Sequence, residues 1–487
     1  MRRLTSVDAQ FLAIEDGKTH GHVTALGIYD PSTAPGGTLT YDAVHRLVAG
    51  RLHLLEPFHW RLVEVPFGLD YPYWHHDPDL DLEFHIRELA LPVPGDIRML
   101  SEQVARIVAR PLDRSRPLWE IYLIHGLENG RVAVLTKLHH AAVDGMSGAE
   151  ILGALLDPSA EGREIEAPAA TAPRRDAPGQ LEMLARGLVA IPGQRLRALR
   201  GLPRALPHLD QVPTLRALPG ISTAASISRR ATRIRARTTD GGVLTGRGLH
   251  APRTSVNGPI GSHRRIALTN HQLAEIKRIK KHFGVTVNDI VVAICAAALR
   301  DWFQDRGELP NEPLLAMIPL SVRTEAERGS YGNRVATMLT PIPTNIADPT
   351  ERVAAAHRSM DQAKQRHQAI PATMLQDAGE FIPPALLARA SRVTTSVAAR
   401  LTTQAPVNVV ISNVPGSPVP LYLAGARLET LHPLSAIAHG TAINITVLSH
   451  AGRLNYGIVV DRDSVDDAWP LAGAVDRAHD ELLALTA

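Results

Sequence analysis

The sequence contains very little cysteine: Cys295 is the only one in 487 residues. One thiol cannot form a disulfide within the chain, and it cannot supply the several sulfur ligands of a structural zinc site. Cys295 stands in the apolar run "IVVAICAAAL", where we expect it to pack inside a buried helix. A single unpaired cysteine is also what a reducing cytosol permits.

Long hydrophobic runs are absent as well. The run around Cys295 has 10 residues and is the longest strongly apolar segment, whereas a helix that crosses a bilayer needs about 20. The N-terminus "MRRLTSVDAQFLAIEDG" becomes polar and acidic directly after Arg2 and Arg3, without the apolar core of a signal peptide. We therefore expect no transmembrane helix and a location in the cytoplasm.

Charge of one sign does not dominate either. The formal net charge is +3 and the isoelectric point about 9.1, which is too weak a bias over this length to predict nucleic-acid binding. Nucleotide fingerprints are also missing: no GxGxxG follows a strand, and no GxxxxGK precedes Ser or Thr. These absences argue against a nucleic-acid partner, phosphoryl transfer and nicotinamide chemistry.

Length and composition predict two lobes. A chain of 487 residues exceeds what one hydrophobic core usually organises, and its 45% hydrophobic and 21% charged residues are ordinary for a globular protein. We divide it into an N-terminal lobe over 1–157, a Pro/Arg-rich helical crossover linker over 158–256, and a C-terminal lobe over 257–487. Two lobes imply a cleft between them.

The crossover linker is strongly basic. Between residues 181 and 237 the chain has eleven arginines, and Glu182 and Asp210 are its only acidic residues. Four apolar residues at helical spacing precede Pro192, namely Leu181, Leu184, Leu188 and Ile191. This pattern is typical of an amphipathic helix on an anionic lipid surface. The alternative is a crossover whose leucines cover the core and whose arginines are solvated.

Two adjacent histidines follow a predicted hairpin. The segments "WEIYLIHGL" and "RVAVLTKLHH" are rich in strand-forming residues and flank "ENG", which supplies turn chemistry. The second strand ends at His139 and His140, and a helix with Ser147 as its N-cap is predicted to follow. The motif "HHAAVDG" therefore lies on a connection from strand to helix, where side chains can project into a cleft.

Adjacent residues at a strand end point to opposite sides, so the two histidines are poorly placed to share a metal. One imidazole that faces the cleft is suited to general-base work near neutral pH. Asp144 could orient the turn through an ion pair or a hydrogen bond, and Gly145 allows a tight bend. On residue chemistry alone, two structural histidines remain an equal alternative.

The C-terminal half alternates strands and helices. A strand leads to a helix capped by Asn270, and the pair Asn288 and Asp289 precedes a long apolar helix. The segments "LLAMIPLSV" and "VNVVISNVPG" are predicted strands, and "INITVLSH" and "RLNYGIVVD" form a predicted hairpin.

Several motifs in series resemble one protein family. "HHAAVDG" matches the HHxxxDG signature of coenzyme-A-dependent acyltransferases and condensation domains, and "PLDRSRPLWE", "TVNDIVVA" and "SNVPGS" narrow the resemblance to bacterial wax ester synthases/diacylglycerol acyltransferases. The resemblance spans nearly the whole chain. It implies an α/β (α+β) fold of two chloramphenicol-acetyltransferase-like lobes with mixed sheets, and a tunnel at their interface.

The resemblance also implies roles for residues. His140 would be the general base, His139 would pack or hold the backbone, and Asp144 would pair with Arg61 or Arg323 and so fix the turn before Gly145. Asn288 would either donate to the oxyanion or cap its helix. The remaining positions implied to be structural or to line the substrate tunnel are Pro117, Leu118, Trp119, Asp289, Asn413 and Gly416.

The implied activity is acyl transfer from long-chain acyl-CoA to diacylglycerol or a fatty alcohol, with no metal and no cofactor because acyl-CoA is a substrate. The enzyme would act in the cytoplasm and contact the membrane or lipid droplets peripherally. Two alternatives remain at this point. One is a same-fold enzyme that uses another acceptor or a carrier-protein donor, and the other is an inactive protein that only binds lipid surfaces.

Overall fold

The computed structural model describes residues 1–77, 79–143, 145–166, 178–189, 249, 251–321, 335–368 and 407–486. Within them the protein has two six-stranded sheets and one small sheet, with helices between the strands. The predicted mixed α/β class is confirmed.

The first large sheet contains six strands in the order β12-β13-β2-β7-β6-β5. They are β2 (His22–Asp30), β5 (Ile86–Ala90), β6 (Trp119–His125), β7 (Val132–His139), β12 (Tyr422–Leu423) and β13 (Ala426–Ser435). β5 runs parallel to β6, and the other neighbours are antiparallel. The small sheet pairs β1 (Arg2–Arg3) and β3 (Trp60–Val63) with β4 (Tyr73–His76).

The second large sheet has the order β10-β9-β11-β14-β15-β8. Its strands are β8 (Arg264–Gln272), β9 (Leu314–Ser321), β10 (Val335–Ile342), β11 (Val409–Val414), β14 (Ile443–His450) and β15 (Arg453–Asp461). β11 is parallel to both of its neighbours, so the sheet is mixed. The predicted strands at 314–321 and 409–414 and the terminal hairpin are confirmed.

The helices of the first half are α1 (Ser6–Ala13), α2 (Tyr41–Arg51), α3 (Leu82–His85), α4 (Ile97–Val108), α5 (Gly145–Leu155) and α6 (180–189). Those of the second half are α7 (Leu273–Phe283), α8 (Val287–Asp305), α9 (Pro349–Gln368) and α10 (Trp469–Ala484). α8 is the central helix of the C-terminal core: residues 290–299 are all buried, including Cys295, whose thiol pKa burial raises to about 12. The expectation of a packed cysteine is confirmed.

The hairpin that leads to the two histidines forms as predicted. β6 and β7 pair from Trp119 opposite Leu138 to Ile124 opposite Ala133, and the turn places Asn129 at φ 58° and Gly130 at φ 68°. Asparagine and glycine are the residues that adopt this left-handed conformation at least cost. Every residue of β7 is buried because the strand lies in the middle of its sheet.

The C-terminal half also contributes to the first sheet. β13 pairs antiparallel with β2, from Arg427 opposite Asp30 to Ser435 opposite Val23, and so extends the sheet of the N-terminal half. The proposed division at residues 157 and 256 stays a prediction. The pairing shows, however, that the first sheet contains strands from both ends of the chain.

Three predicted helix starts are wrong. α5 begins at Gly145, so Ser147 lies inside it and is not its N-cap. Asn270 belongs to β8, where its Oδ1 accepts from Arg453 Nη1 at 2.7 Å, and α7 begins three residues later. Thr286 caps α8 by accepting from the Asp289 backbone N–H at 3.2 Å. Asn288 therefore lies in the first turn and is not the cap.

The start of the basic crossover is an exposed helix. Leu181 and Leu188 on α6 are 83% and 55% exposed, whereas Met183 and Gly187 are the residues buried against the protein. The alternative in which these leucines cover the core is wrong for Leu181 and Leu188. Ile191 and the arginines beyond it lie outside the described residues.

Among the described residues, no single helix has the length and apolarity of a membrane span. α7 and α8 have the required length and apolarity only when they are taken together, and the chain bends by 98° between them.

Candidate active site

The histidine motif begins on a tight turn that connects β7 with α5. The backbone N–H of His140 donates to the Gly21 carbonyl at 2.7 Å, and that of Ala142 donates back to the His139 carbonyl at 2.9 Å. Gly21 precedes β2, in which His22 lies opposite His139. The turn is therefore held by the N-terminal segment as well as by its own strand.

His139 points into the protein. It is 1% exposed, its Nε2 lies 3.0 Å from Glu15 Oε1, and its Nδ1 accepts from the Ala141 backbone N–H at 3.0 Å. Because Nδ1 accepts a hydrogen bond, the ring proton sits on Nε2 and is donated to Glu15. The imidazole thus ties the first residues of the turn to a carboxylate.

Glu15 is the centre of this arrangement. Besides His139, its carboxylate accepts from the Gly21 backbone N–H at 2.7 Å and from Arg114 Nη2 at 2.8 Å. Burial by itself would raise the pKa of Glu15, but the hydrogen bonds from His139, Arg114 and Gly21 lower it well below its ordinary value. A buried, ionised carboxylate with this many donors fixes the geometry of the histidine turn.

Sequence reasoning did not single out Glu15. The N-terminal segment that contains it, "LTSVDAQFLAIED", also resembles the family, but the resemblance implied no role for this glutamate. The signal that could have identified it is its position directly after the apolar residues "FLAI". A carboxylate that is buried with such residues needs hydrogen-bond donors.

His140 has a different neighbour. It is half-buried, and its ring stacks on that of Phe11 with centroids 4.1 Å apart and planes inclined by 5°. The side chains of the two histidines therefore have different neighbours: His139 lies beside Glu15, and His140 lies on Phe11. Their catalytic roles stay predictions.

Asp144 and Arg323 lie outside the described residues, and Gly145 is the first residue of α5. Arg61, the other proposed partner of Asp144, has Nη1 at 3.9 Å from Asp77 Oδ1. The ion pair of Asp144 with an arginine stays a prediction.

Asn288 and Asn413 meet although 125 residues separate them in the sequence. Asn413 Nδ2 donates to Asn288 Oδ1 at 3.4 Å, a long hydrogen bond between the first turn of α8 and the end of β11. This bond occupies the side-chain oxygen of Asn288, and its amide N–H groups are not used in it. Because Thr286 is the cap, the capping alternative for Asn288 is wrong, and its role as an oxyanion donor stays a prediction.

Asp289 holds the start of α8, and its role as a substrate contact stays a prediction. It is fully buried, its Oδ2 accepts from the Thr286 backbone N–H at 2.9 Å, and the same oxygen lies 2.8 Å from His357 Nδ1. The carboxylate therefore completes a capping box at the start of α8 and pairs with α9.

Pro117, Leu118 and Trp119 are all buried, and the contacts of Trp119 support the structural alternative. Its ring stacks on Phe58 and His85, and its Nε1 donates to the Phe58 carbonyl at 2.9 Å. Gly416 approaches β14 closely: a Cβ there would lie 2.1 Å from the Ser449 carbonyl oxygen. Glycine at this position is therefore required by backbone packing.

Other ionisable groups behind the turn are shielded from water. Burial lowers the pKa values of His20 and His22, and it lowers that of Lys137 to about 8. Lys137 Nζ donates to the Ile107 and Arg110 carbonyls at the end of α4. In the part of the chain that the structure describes, no group of three His, Cys, Asp or Glu residues could hold a metal ion.

The Asn288 arrangement makes a testable prediction. Asn288→Asp keeps the shape of the side chain but removes the donor, so we expect kcat to fall by about 10²- to 10³-fold, the usual effect of losing one oxyanion donor. Asn413→Ala should cause a smaller loss of kcat, because it removes the hydrogen bond that orients the Asn288 amide but leaves that amide in place. Steady-state kinetics on both purified variants will check this, and an unchanged kcat in Asn288→Asp would exclude the donor role.

Two family models match the chain. The wax ester synthase/diacylglycerol acyltransferase catalytic domain matches residues 4–291, and the WS/DGAT C-terminal domain matches residues 331–483. The matches include the histidine turn, Asn288 and Asn413.

Similar proteins are also found by direct comparison. A Mycobacterium tuberculosis protein whose name assigns it to the diacylglycerol O-acyltransferases is 34% identical over 485 residues, which are 99% of this chain and 90% of that protein. The wax ester synthase/diacylglycerol acyltransferase from Marinobacter aquaeolei VT8 superposes with a TM-score of 0.67 at 26% identity and 99% coverage of both chains. The first condensation domain of the calcium-dependent antibiotic synthetase shares the fold, with a TM-score of 0.55 at 15% identity over 100% of this chain and 96% of that one.

Proposed function

Because this chain belongs to the wax ester synthase/diacylglycerol acyltransferase family and is an acyltransferase, we propose that it esterifies diacylglycerol with the acyl group of long-chain acyl-CoA. Long-chain alcohols are proposed as second acceptors, which would yield wax esters. The observation that carries the proposal is the match of both family models together with relatives named for diacylglycerol acylation over nearly the whole chain.

The proposed mechanism is a direct attack without an acyl-enzyme. His140 accepts the proton of the acceptor hydroxyl while the alcohol oxygen forms a bond to the thioester carbonyl carbon. The tetrahedral intermediate collapses as the carbon–sulfur bond breaks, and the proton on His140 passes to the departing sulfur of coenzyme A. The Glu15 network supports this step by holding the turn that carries His140.

Asn288 is proposed to donate to the negatively charged oxygen of the intermediate, with Asn413 orienting its amide. A thioester is already electrophilic and thiolate is a good leaving group, so one base and one donor suffice. The proposal therefore includes no cofactor, and acyl-CoA serves as substrate.

The acceptor is tested by mass spectrometry of products. Purified protein is incubated with palmitoyl-CoA and, in separate reactions, with diacylglycerol, a long-chain alcohol and a sterol. We expect triacylglycerol as the main product and wax ester as a second one. Release of free coenzyme A without an ester product would contradict the proposal, and products only with a palmitoylated carrier protein as donor would favour the carrier-dependent alternative.

We also place the enzyme on lipid surfaces in the cytoplasm, with α6 as a contact. Leu181, Leu188 and Val189 are more than half exposed on this helix. Gly187 packs against the adjacent loop, where a Cβ would lie 2.8 Å from Val65 Cγ1, and Phe67 at the tip of that loop is 82% exposed. Large apolar side chains exposed next to one another are typical of an interaction surface.

This contact predicts weaker lipid binding when the apolar side chains are removed. The variant Leu181→Gln, Leu188→Gln, Val189→Gln should bind anionic liposomes at least tenfold more weakly, since full burial of even one leucine or valine contributes about 1.5–3 kcal/mol and tenfold corresponds to about 1.4 kcal/mol. Val93→Gln, which changes another highly exposed valine, is the control. Co-sedimentation measures both.

The arginines of the crossover are tested separately. Replacing Arg195, Arg197 and Arg200 with glutamine should weaken liposome binding mainly at low salt, because each basic residue near an anionic membrane contributes about 1 kcal/mol. Activity on a detergent-dispersed acceptor should stay near wild type. If both triple variants bind liposomes like the wild type, this segment is a solvated crossover and does not contact lipid.

A further inference from the structure

A second candidate binding site lies away from the histidine turn, where α7 ends and α8 begins. A pocket of about 600 Å³ opens there on the surface. Its lining consists of three cationic side chains from α7 and an apolar floor from the connection to α8, namely Lys277, Lys280, Lys281, Gly284, Val285 and Val287.

The helix places the three lysines on one side. Lys281 is four residues and Lys280 three residues after Lys277, which are the spacings that bring side chains together on a helix surface. Ile276 and Ile279, on the opposite side of α7, are fully buried in the core. α7 is therefore amphipathic: its isoleucines pack in the core, and its lysines face the solvent.

These charges lack acidic neighbours. Within the described ranges, no carboxylate lies within 4.0 Å of Lys277, Lys280 or Lys281, and the one acidic residue of α7, Glu275, faces His479 at 3.6 Å. In contrast, Arg51, Arg114 and several other arginines are paired with carboxylates. Three unneutralised ammonium groups around one concave surface favour an anion with more than one charge.

The first turn of α8 strengthens this preference. Val287 lines the pocket and is the first residue of a 19-residue helix, whose N-terminal end carries a partial positive charge. The next residue is Asn288, which contacts Asn413 at the proposed reaction centre. The pocket and the proposed oxyanion donor thus share one helix end.

We propose that this pocket binds the phosphate groups at the nucleotide end of coenzyme A. This inference rests on the proposed function, in which acyl-CoA is the donor. The 3′-phosphate and the diphosphate of coenzyme A carry several negative charges at one end of a long pantetheine arm, and the thioester is at the other end. Lysines bind phosphate as mobile point charges, so the phosphates are held at the surface while the arm leads past Asn288 to the acceptor.

The test compares two donors. Lys277→Gln, Lys280→Gln, Lys281→Gln is assayed with palmitoyl-CoA and with the palmitoyl thioester of pantetheine, which lacks the nucleotide. We expect KM for palmitoyl-CoA to rise about tenfold or more with little change in kcat, because uniform binding is lost, and no change with the pantetheine thioester. Arg278→Gln removes one charge from the same helix outside the pocket and should behave like the wild type.

A binding measurement separates this proposal from the proposed function. Calorimetry with adenosine 3′,5′-bisphosphate should show binding to the wild-type protein and a loss of at least tenfold in the triple variant, whether or not any acceptor is acylated. Ester formation with neither thioester would contradict the proposed function but leave this result in place.

Three outcomes would overturn the pocket proposal. The first is that the triple variant binds adenosine 3′,5′-bisphosphate as tightly as the wild type. The second is that its KM rises equally for both thioesters. The third is that its KM for palmitoyl-CoA is unchanged while it binds vesicles of anionic phospholipid more weakly. The last result would assign the pocket to lipid headgroups instead. The three lysines are exposed, so the variant is expected to keep the wild-type melting temperature, which circular dichroism checks.

Discussion

Replacing His140 with alanine is expected to lower kcat by about 10²- to 10⁴-fold, the range for losing a general base, while the melting temperature stays close to wild type. The side chain is half-buried and its ring stacks on that of Phe11, whereas the bonds to Glu15 and from the Ala141 N–H are made by His139, so those bonds do not depend on the His140 side chain. Acyl transfer from palmitoyl-CoA to diacylglycerol, measured with thermal unfolding of the same preparation, checks both parts.

His139→Ala is the matched comparison. This imidazole is buried between Glu15 and the Ala141 backbone, so its loss leaves polar groups without partners at a cost of about 1–3 kcal/mol. We expect a lower melting temperature together with a measurable remaining activity. If both variants fold and lose activity equally, His140 is not the single base.

Glu15→Gln is expected to lower both activity and stability although Glu15 is not proposed to touch substrate. Glutamine keeps the shape of the side chain but not its charge, and its amide can donate to His139 Nε2. That donation would move the ring proton to Nδ1 and break the bond from the Ala141 backbone N–H. We expect kcat to fall about tenfold or more with little change in KM for acyl-CoA, because the turn that carries His140 is displaced.

Glu64→Gln provides the control for this change. Glu64 is the other carboxylate near Arg114, at 3.5 Å from its Nη1, and its side chain is 67% exposed. Its replacement removes a negative charge from the same arginine without reaching His139. We expect activity and melting temperature within error of the wild type. Equal losses in both variants would mean that the charge balance of Arg114 matters, not the contact with His139.

Glu15 also predicts a dependence of stability on pH. Its folded pKa lies below the ordinary value of 4.5, so the ionised group stabilises the folded state fully above that pH. This contribution is lost as pH falls below about 4.5 toward the folded pKa. The difference in unfolding free energy between wild type and Glu15→Gln should therefore shrink in acid, and a constant difference would contradict the assignment.

Much of the fold near the site follows from local sequence. The β6/β7 hairpin was predictable because runs of β-branched and apolar residues flank Asn129 and Gly130, whose conformations suit the turn. The burial of Cys295 follows from a run of apolar residues at the length of a helix.

Helix starts were less predictable, because several polar residues near a start can act as the cap. Asn270, Ser147 and Asn288 all have the chemistry of a cap. Asn270 lies in a strand because β8 pairs with β15 up to Gln272, and Thr286 caps α8 because the Asp289 side chain completes a capping box with it. Strand pairing and reciprocal hydrogen bonds decided between local alternatives of similar energy.

The sequence by itself determined the β6/β7 hairpin, the β14/β15 hairpin and the motifs that indicate acyl transfer, because strand period, turn chemistry and motif spacing are local properties. Only the tertiary structure brought Glu15 to His139 across 124 residues, joined Asn413 to Asn288 and placed β13 beside β2. Such contacts depend on how distant segments pack and on which buried polar groups then need partners. Neither the packing of distant segments nor the pairing of buried polar groups is encoded in a local sequence pattern.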